Sequence, residues 1–158
     1  MTESVFYTLA AESLSKECNR LNEFTASLDK NPAEKKARIA EYKCAKYRQA
    51  SVGQIRNTLF YGNEVLQRPA RHLIIEEHLN NHPDYLELCS RTSIEEKVDF
   101  ELYYGCKATA EDEHETFAEK LLMATDWEKV ELEERIGGLK FAIECLDEAW
   151  KKRKDVSV

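Results

Sequence analysis

Residues 125–154 read TDWEKVELEERIGGLKFAIECLDEAWKKRK, and this stretch decides the fold. Its large apolar residues recur at alternating steps of four and three, which is the spacing of one face of an α-helix. Thr125–Glu128 supplies a capping sequence, and the basic run at the end suits the negative end of the helix dipole. The apolar stripe consists of Leu132, Ile136, Leu139, Ile143, Leu146 and Trp150. The pattern predicts a long C-terminal helix over about residues 126–153.

Two adjacent glycines, Gly137 and Gly138, interrupt this stripe. A glycine inside a helix costs about 1 kcal/mol relative to alanine, so a pair of them calls for a structural reason. Glycine allows a neighbouring helix to approach closely and also allows a helix to bend. We therefore expect either a close helix contact or a bend at this position.

The N-terminal part of the chain contains two more helical patterns. Leucines recur every seven residues, at Leu14, Leu21 and Leu28, which predicts a helix over about residues 3–30. The dipeptide Asn31-Pro32 then signals a restart, because Asn caps helices and Pro fits the first helical position. A second helix is predicted over about residues 32–61, with an extension to Arg68 as the alternative. Since so short a turn separates them, the two helices must pack antiparallel as a long hairpin.

Residue patterns in the middle of the chain predict short helices over about residues 71–81, 93–104 and 109–124. The second of them is expected to end at Gly105. Val98–Tyr104 alternates between apolar and polar residues, which is a strand pattern. A lone strand would have no partner in this chain, so helix is favoured. Together these patterns predict an all-α protein. We expect an up-down helical bundle with a long N-terminal antiparallel helical hairpin, short middle helices and a long C-terminal helix.

Composition sets further limits on the class of protein. The chain has 158 residues, which fits a single domain spanning residues 1–158. With 5 Gly and 3 Pro, it lacks the many turns that an all-β sandwich needs. No apolar run approaches the roughly 18–20 residues that cross a bilayer, and the N-terminus does not resemble a secretory signal. We therefore expect a cytoplasmic protein that is not associated with a membrane.

The charge is distributed unevenly along the chain. The net charge is −7, yet residues 32–68 hold eight basic and three acidic side chains. On a continuous helix the lysines near the start of this segment share an arc of about 100°. The predicted partner-binding residues are Lys35, Lys36, Lys43, Lys46 and Tyr47. We expect this face to complement acidic helices, either within the bundle or on a protein partner, and binding of nucleic acid through the same face is an alternative.

The stretch RHLIIEEH at residues 71–78 places Arg71 and His78 two helical turns apart, on nearly one face. This spacing resembles the Arg-x(4–6)-His signature of HEPN ribonucleases, which are small helical bundles. The resemblance covers eight residues of the chain. It implies a metal-independent ribonuclease in which His78 and Arg71 act on the RNA 2′-hydroxyl and the scissile phosphate, usually across a dimer.

Histidines and cysteines form no recognisable metal or redox motif. His78 and His82 are four positions apart, but Pro83 places His82 at a helix end. Glu111-x-x-His114 occurs once, whereas di-iron bundles need two such motifs. The cysteines are Cys18, Cys44, Cys89, Cys106 and Cys145, with no Cys-x-x-Cys among them. We interpret them as buried, reduced thiols, and we expect no metal and no cofactor.

These observations favour a non-catalytic helical protein that binds another macromolecule, as adaptors, chaperones and immunity or inhibitor-like proteins do. The expected partner is a protein, and self-association through the long apolar stripes of the hairpin is also consistent with the pattern. Two alternatives stay open. One is a ribonuclease that uses Arg71 and His78, and the other is a nucleic-acid binder that uses the Lys35–Lys46 face.

Overall fold

A computed structural model describes residues 4–66 and 94–156 of the chain. The described residues form helices α1 (Val5–Asp29), α2 (Pro32–Ala37), α3 (Ile39–Leu66), α4 (Ile94–Leu121) and α5 (Asp126–Val156). Neither described range contains a β-strand. The predicted all-α helical bundle is therefore confirmed. In these same two ranges, no helix combines the length and the apolar character that crossing a membrane requires.

The N-terminal hairpin forms at the restart signal that the sequence contains. The Ser4 side chain accepts a hydrogen bond from the Tyr7 backbone N–H (3.0 Å) and caps α1. The Asn31 side chain accepts one from the Glu34 backbone N–H (3.3 Å), with Pro32 in the first position of α2. Asn31 and Pro32 therefore end one helix and begin the next, as predicted.

The second predicted helix is divided in two, which corrects the expectation of one helix over residues 32–61. Arg38 leaves helical geometry (φ −114°, ψ 32°), so that α2 ends before it and α3 begins after it. Its guanidinium forms ion pairs with Glu34 on one side of the break and with Glu41 on the other. Neither Pro nor Gly occupies position 38, so no local sequence signal marks the break.

The four long helices run alternately up and down. α3 and α5 lie side by side at the centre and run parallel, while α1 covers them on one side and α4 on the other. α1 and α4 meet mainly near Phe6, whose ring packs edge-on against Tyr103 of α4 (centroids 5.7 Å apart). Because α4 and α5 are joined by the short turn at residues 122–125, they form a second antiparallel hairpin.

α4 corrects the prediction of two short middle helices with a boundary at Gly105. It is one helix from Ile94 to Leu121, and Gly105 lies inside it without a positive φ. The Thr109 hydroxyl donates a hydrogen bond to the Gly105 carbonyl oxygen (2.9 Å), which adds a side-chain hydrogen bond to that turn of the helix. The strand alternative for Val98–Tyr104 is wrong as well. The helix predicted over residues 71–81 lies outside the described residues.

The core is built from the apolar stripes that the sequence shows. In α5, Leu132, Ile136, Leu139 and Leu146 are buried, and Ile143 and Trp150 are half-buried. Val98, Leu102, Cys106 and Ala110 line the inner face of α4 at four-residue intervals. Aromatic rings close the end of the bundle where α1 begins, and Tyr103 stacks on Trp150 with centroids 4.8 Å apart. The opposite end, where α3 and α5 begin, presents the predicted lysines.

Candidate partner-binding surface

The end of α1, helix α2 and the start of α3 meet around the carboxylate of Asp29. The Lys35 ammonium lies 2.9 Å from Asp29 Oδ1, and the Tyr42 hydroxyl donates to the same oxygen at 2.9 Å. Hydrogen bonds from Lys35 and Tyr42 lower the pKa of Asp29, and the hydrogen bond to Asp29 raises the pKa of Lys35. The contact therefore stabilises the charged forms of Asp29 and Lys35, and it fixes the position of the Tyr42 ring.

Lys46 approaches the same tyrosine from one helical turn further along α3. Its ammonium lies 5.7 Å from the Tyr42 ring centroid, and the Lys35 ammonium lies 4.3 Å from it. Lys36 is exposed on α2. In the described ranges neither Lys36 nor Lys46 forms an ion pair within 4 Å. We call Lys35, Lys36, Tyr42 and Lys46 the basic corner.

Two members of the predicted set lie apart from the basic corner. The Lys43 ammonium lies over the ring of Trp127, 4.3 Å from its centroid, in the first turn of α5. Tyr47 is half-buried, about 140° around α3 from Tyr42. The predicted arc requires one continuous helix from Pro32. The break at Arg38 changes the position of Lys35 and Lys36 relative to α3, whereas Lys43 differs from Lys46 of the same helix by its contact with Trp127. Of the five predicted residues, Lys35 and Lys46 therefore meet at Tyr42, and Lys36 is exposed next to Lys35 in the chain.

Exposed apolar side chains that no sequence pattern predicts lie at the same end of the bundle. Leu122 and Met123, in the turn between α4 and α5, are 85% and 88% exposed. Ile39 and Trp127, at the starts of α3 and α5, are 39% and 43% exposed. We call these four residues the apolar end. The sequence signal for this surface is the adjacent pair Leu122 and Met123, which the helical pattern over residues 109–124 places inside a helix, whereas α4 ends at Leu121.

A groove of about 700 Å³ runs along α3. Its described lining consists of Cys18, Gln49, Ala50, Gly53, Gln54, Arg56, Asn57, Thr58 and Tyr61. Arg56 is the charged member of that lining, and its Nε has no hydrogen-bond partner in the described part of the chain. None of these described lining residues is a histidine or a carboxylate, and their titratable side chains are Cys18, Arg56 and Tyr61.

The described cysteines are free thiols, as predicted. Cys18, Cys106 and Cys145 are buried and Cys44 is half-buried, while Cys89 lies outside the described residues. Burial raises the pKa of all four thiols, to about 12 for Cys106 and to about 11 for Cys145. A raised pKa keeps a thiol protonated, whereas a nucleophilic cysteine needs a lowered one.

We expect Cys106 and Cys145 to resist alkylation by iodoacetamide at pH 8 in the folded protein, with Cys44 modified first among the four described cysteines. Each buried thiol is both inaccessible and protonated, so that its modification must wait for unfolding. Mass spectrometry of peptides over a time course measures each rate. The same protein in guanidinium chloride is the control, in which the cysteines should react at similar rates. Early labelling of Cys106 in the folded protein would contradict the buried position.

The residues of the ribonuclease alternative, and the histidines and carboxylates that were considered and set aside as metal ligands, are placed as follows. Arg71, His78 and His82 lie outside the described residues, so the ribonuclease alternative stays a prediction. Glu111 and His114 lie in α4, and the described parts of the chain contain no group of three potential metal ligands. Comparison with protein-family models, curated proteins and solved structures gives no match.

Proposed function

We propose that the protein is a non-catalytic helical bundle that binds an acidic surface of a partner protein through the basic corner. The observation that supports this proposal is that two of its exposed lysines have no ion-pair partner in the described ranges. The chain is acidic, with a net charge of −7, yet Lys36 and Lys46 are exposed and neither forms an ion pair in the described ranges. A positive charge that has no ion-pair partner within its own chain attracts an acidic surface of another protein.

The corner is also partly ordered in advance. Asp29 fixes Lys35 and the Tyr42 ring, and that ring in turn lies under Lys46. Immobilising a free lysine on binding costs about 0.5–1.5 kcal/mol, so a corner already held by contacts loses less. The arrangement supports recognition of a carboxylate-bearing surface, with affinity that falls as salt is raised.

The aromatic residues favour a protein partner over nucleic acid. Single-stranded nucleic acid is held by bases that stack on open aromatic faces. The Tyr42 ring is approached by two ammonium groups and its hydroxyl bonds to Asp29, while Tyr47 is half-buried. Both rings are therefore already partly covered, which leaves less aromatic surface for a base to stack on. The basic corner also has few cations, whereas binding to a phosphate backbone depends on several such contacts.

Charge reversal tests the proposal. We expect the double variant Lys36→Glu/Lys46→Glu to capture at least about tenfold less of the partner from the cells that make this protein, because two attractive contacts become repulsive. The control is Lys16→Glu/Lys140→Glu, which changes the net charge equally at two exposed lysines on α1 and α5. Lys35 is left unchanged because it holds Asp29. Capture is measured by affinity purification with quantitative mass spectrometry.

Two outcomes would contradict the proposal. Equal loss in the test and control variants would show that net charge decides binding and that the basic corner does not. Steeply salt-dependent binding of an RNA or DNA oligonucleotide by the wild type, lost in the Lys36→Glu/Lys46→Glu variant, would assign the corner to nucleic acid.

A further inference from the structure

The groove along α3 contains a cation whose hydrogen bonds are incomplete. Arg56 lines this groove, together with Cys18 of α1. The Arg56 Nε is buried without a hydrogen-bond partner, and the guanidinium forms no ion pair within the described ranges; it lies 5.8 Å from the centroid of the Phe60 ring. The carboxylate of Glu17, which precedes Cys18, is paired with Arg20. A buried donor without a partner is costly in a folded protein, so Arg56 calls for an acceptor.

The other polar residues of the described lining offer hydrogen bonds and carry no negative charge. Gln49, Gln54 and Asn57 each have a side-chain amide that can both donate and accept. None of these three amides is bonded to another described residue. The Thr58 hydroxyl donates to the Gln54 backbone carbonyl oxygen (2.9 Å), so that its oxygen can still accept. This lining therefore favours an anion beside Arg56, with polar atoms for the remainder of a ligand.

Gly53 adds open space to the groove. A Cβ atom at this position would meet no described atom within 4 Å, and Gly53 has no positive φ. Neither close helix packing nor backbone conformation therefore requires glycine here, although glycine lowers the stability of a helix interior. The groove has a volume of about 700 Å³, which lies within the range of roughly 300–1,000 Å³ that holds small molecules.

The lining also includes an exposed aromatic ring. Tyr61 is 67% exposed, and its ring makes no stacking or cation–π contact with any residue that the structure describes. It follows Arg56 by five residues, which is about 7.5 Å along the axis of an α-helix. An open aromatic face can stack on a planar ring of a ligand. A ligand with a planar ring and a separate charged group can therefore contact Tyr61 and Arg56 together.

We propose that this groove binds a nucleoside monophosphate. A guanidinium pairs with phosphate oxygens in a planar, bidentate geometry, and pairing through Nε supplies the acceptor that this atom of Arg56 lacks. The base stacks on Tyr61, and its edge bonds to the amides of Gln49, Gln54 and Asn57. A single arginine suits a single phosphate group, whereas a nucleic-acid backbone is held by several cations. This site does not use the lysines of the basic corner and goes beyond the proposed function.

Isothermal titration calorimetry of the full chain tests the proposal, with the monophosphates of adenosine, guanosine, cytidine and uridine as probes. We expect at least one of them to bind with a dissociation constant below about 1 millimolar. Inorganic phosphate and the corresponding free nucleoside should each bind at least about tenfold more weakly, because each retains only part of the contacts. The comparison separates a nucleotide site from a site for any small oxyanion.

Substitutions in the groove locate the site. Arg56→Met removes the charge and Gly53→Leu fills the open space, so each should weaken binding at least about tenfold while circular dichroism shows a folded protein. Arg48→Met is the matched control, because Arg48 also lies on α3 without an ion pair in the described ranges, but over Phe141 of α5. The proposal is overturned if the wild type binds none of the four nucleotides, if inorganic phosphate binds equally well, or if both groove variants bind like the wild type. None of these results would affect capture of a partner by the basic corner.

Discussion

Phe6→Ala is expected to lower the free energy of unfolding by about 3–5 kcal/mol, the range found when a large buried aromatic is truncated. The Phe6 side chain is 0% exposed. Its ring packs edge-on against Tyr103 of α4 and Trp150 of α5, with centroids 5.7 and 5.9 Å apart. Because this ring connects the first turn of α1 to both helices of the second hairpin, its loss leaves a cavity between three elements.

Urea denaturation followed by circular dichroism measures this effect, through the transition midpoint at constant slope. Phe60→Ala is the matched control. Phe60 is 38% exposed on α3 and contacts Tyr7 with ring centroids 6.1 Å apart, so its loss should cost about 1 kcal/mol. Similar losses in the two variants would show that the aromatic cluster around Trp150 does not connect α1 to the rest of the bundle.

The importance of Phe6 was only partly accessible from the sequence. The leucine repeat identified Leu14, Leu21 and Leu28, which are buried in the structure. Continuing that stripe backwards in steps of four from Leu14 reaches Ala10 and Phe6, which are also buried. A strict seven-residue repeat drifts away from those positions, because an α-helix has 3.6 residues per turn. Periodicity therefore predicted the helix and most of its buried face, but not its first two turns.

Features that depend on contacts between helices were the ones that the sequence could not specify. Glycine at position 105 was interpreted as the end of a helix, yet α4 continues because its inner face packs against the bundle on both sides of Gly105. The break at Arg38 has no Pro or Gly to mark it. It changes the position of Lys35 and Lys36 relative to the lysines of α3, and within α3 Lys43 lies over Trp127 while Lys46 lies near Tyr42. The basic segment was therefore predictable, whereas the way its lysines divide between two surfaces was not.

Gly138→Ala is expected to lower the free energy of unfolding by about 1–3 kcal/mol, the cost of overpacking a tight contact. A Cβ atom at Gly138 would lie 2.8 Å from the Arg48 carbonyl oxygen and 2.9 Å from Ser51 Cβ, both in α3. Since the nearest of these atoms belongs to the backbone, relief requires α3 and α5 to move apart. Of the two expectations for the glycine pair, close helix approach is the one confirmed.

The sign of the effect separates this explanation from helix propensity, which predicts that alanine in place of glycine stabilises a helix by about 1 kcal/mol. Gly105→Ala is the control, because nothing lies within 4 Å of a Cβ atom there, and it should raise the free energy of unfolding by about that amount. Gly137→Ala should fall between the two, since its nearest neighbour is the flexible tip of Arg48 at 3.3 Å. Thermal and urea unfolding of the three variants measure this order. If all three were stabilised, the parallel contact between α3 and α5 would have to be looser than these distances, and some other contact would set the position of the central pair.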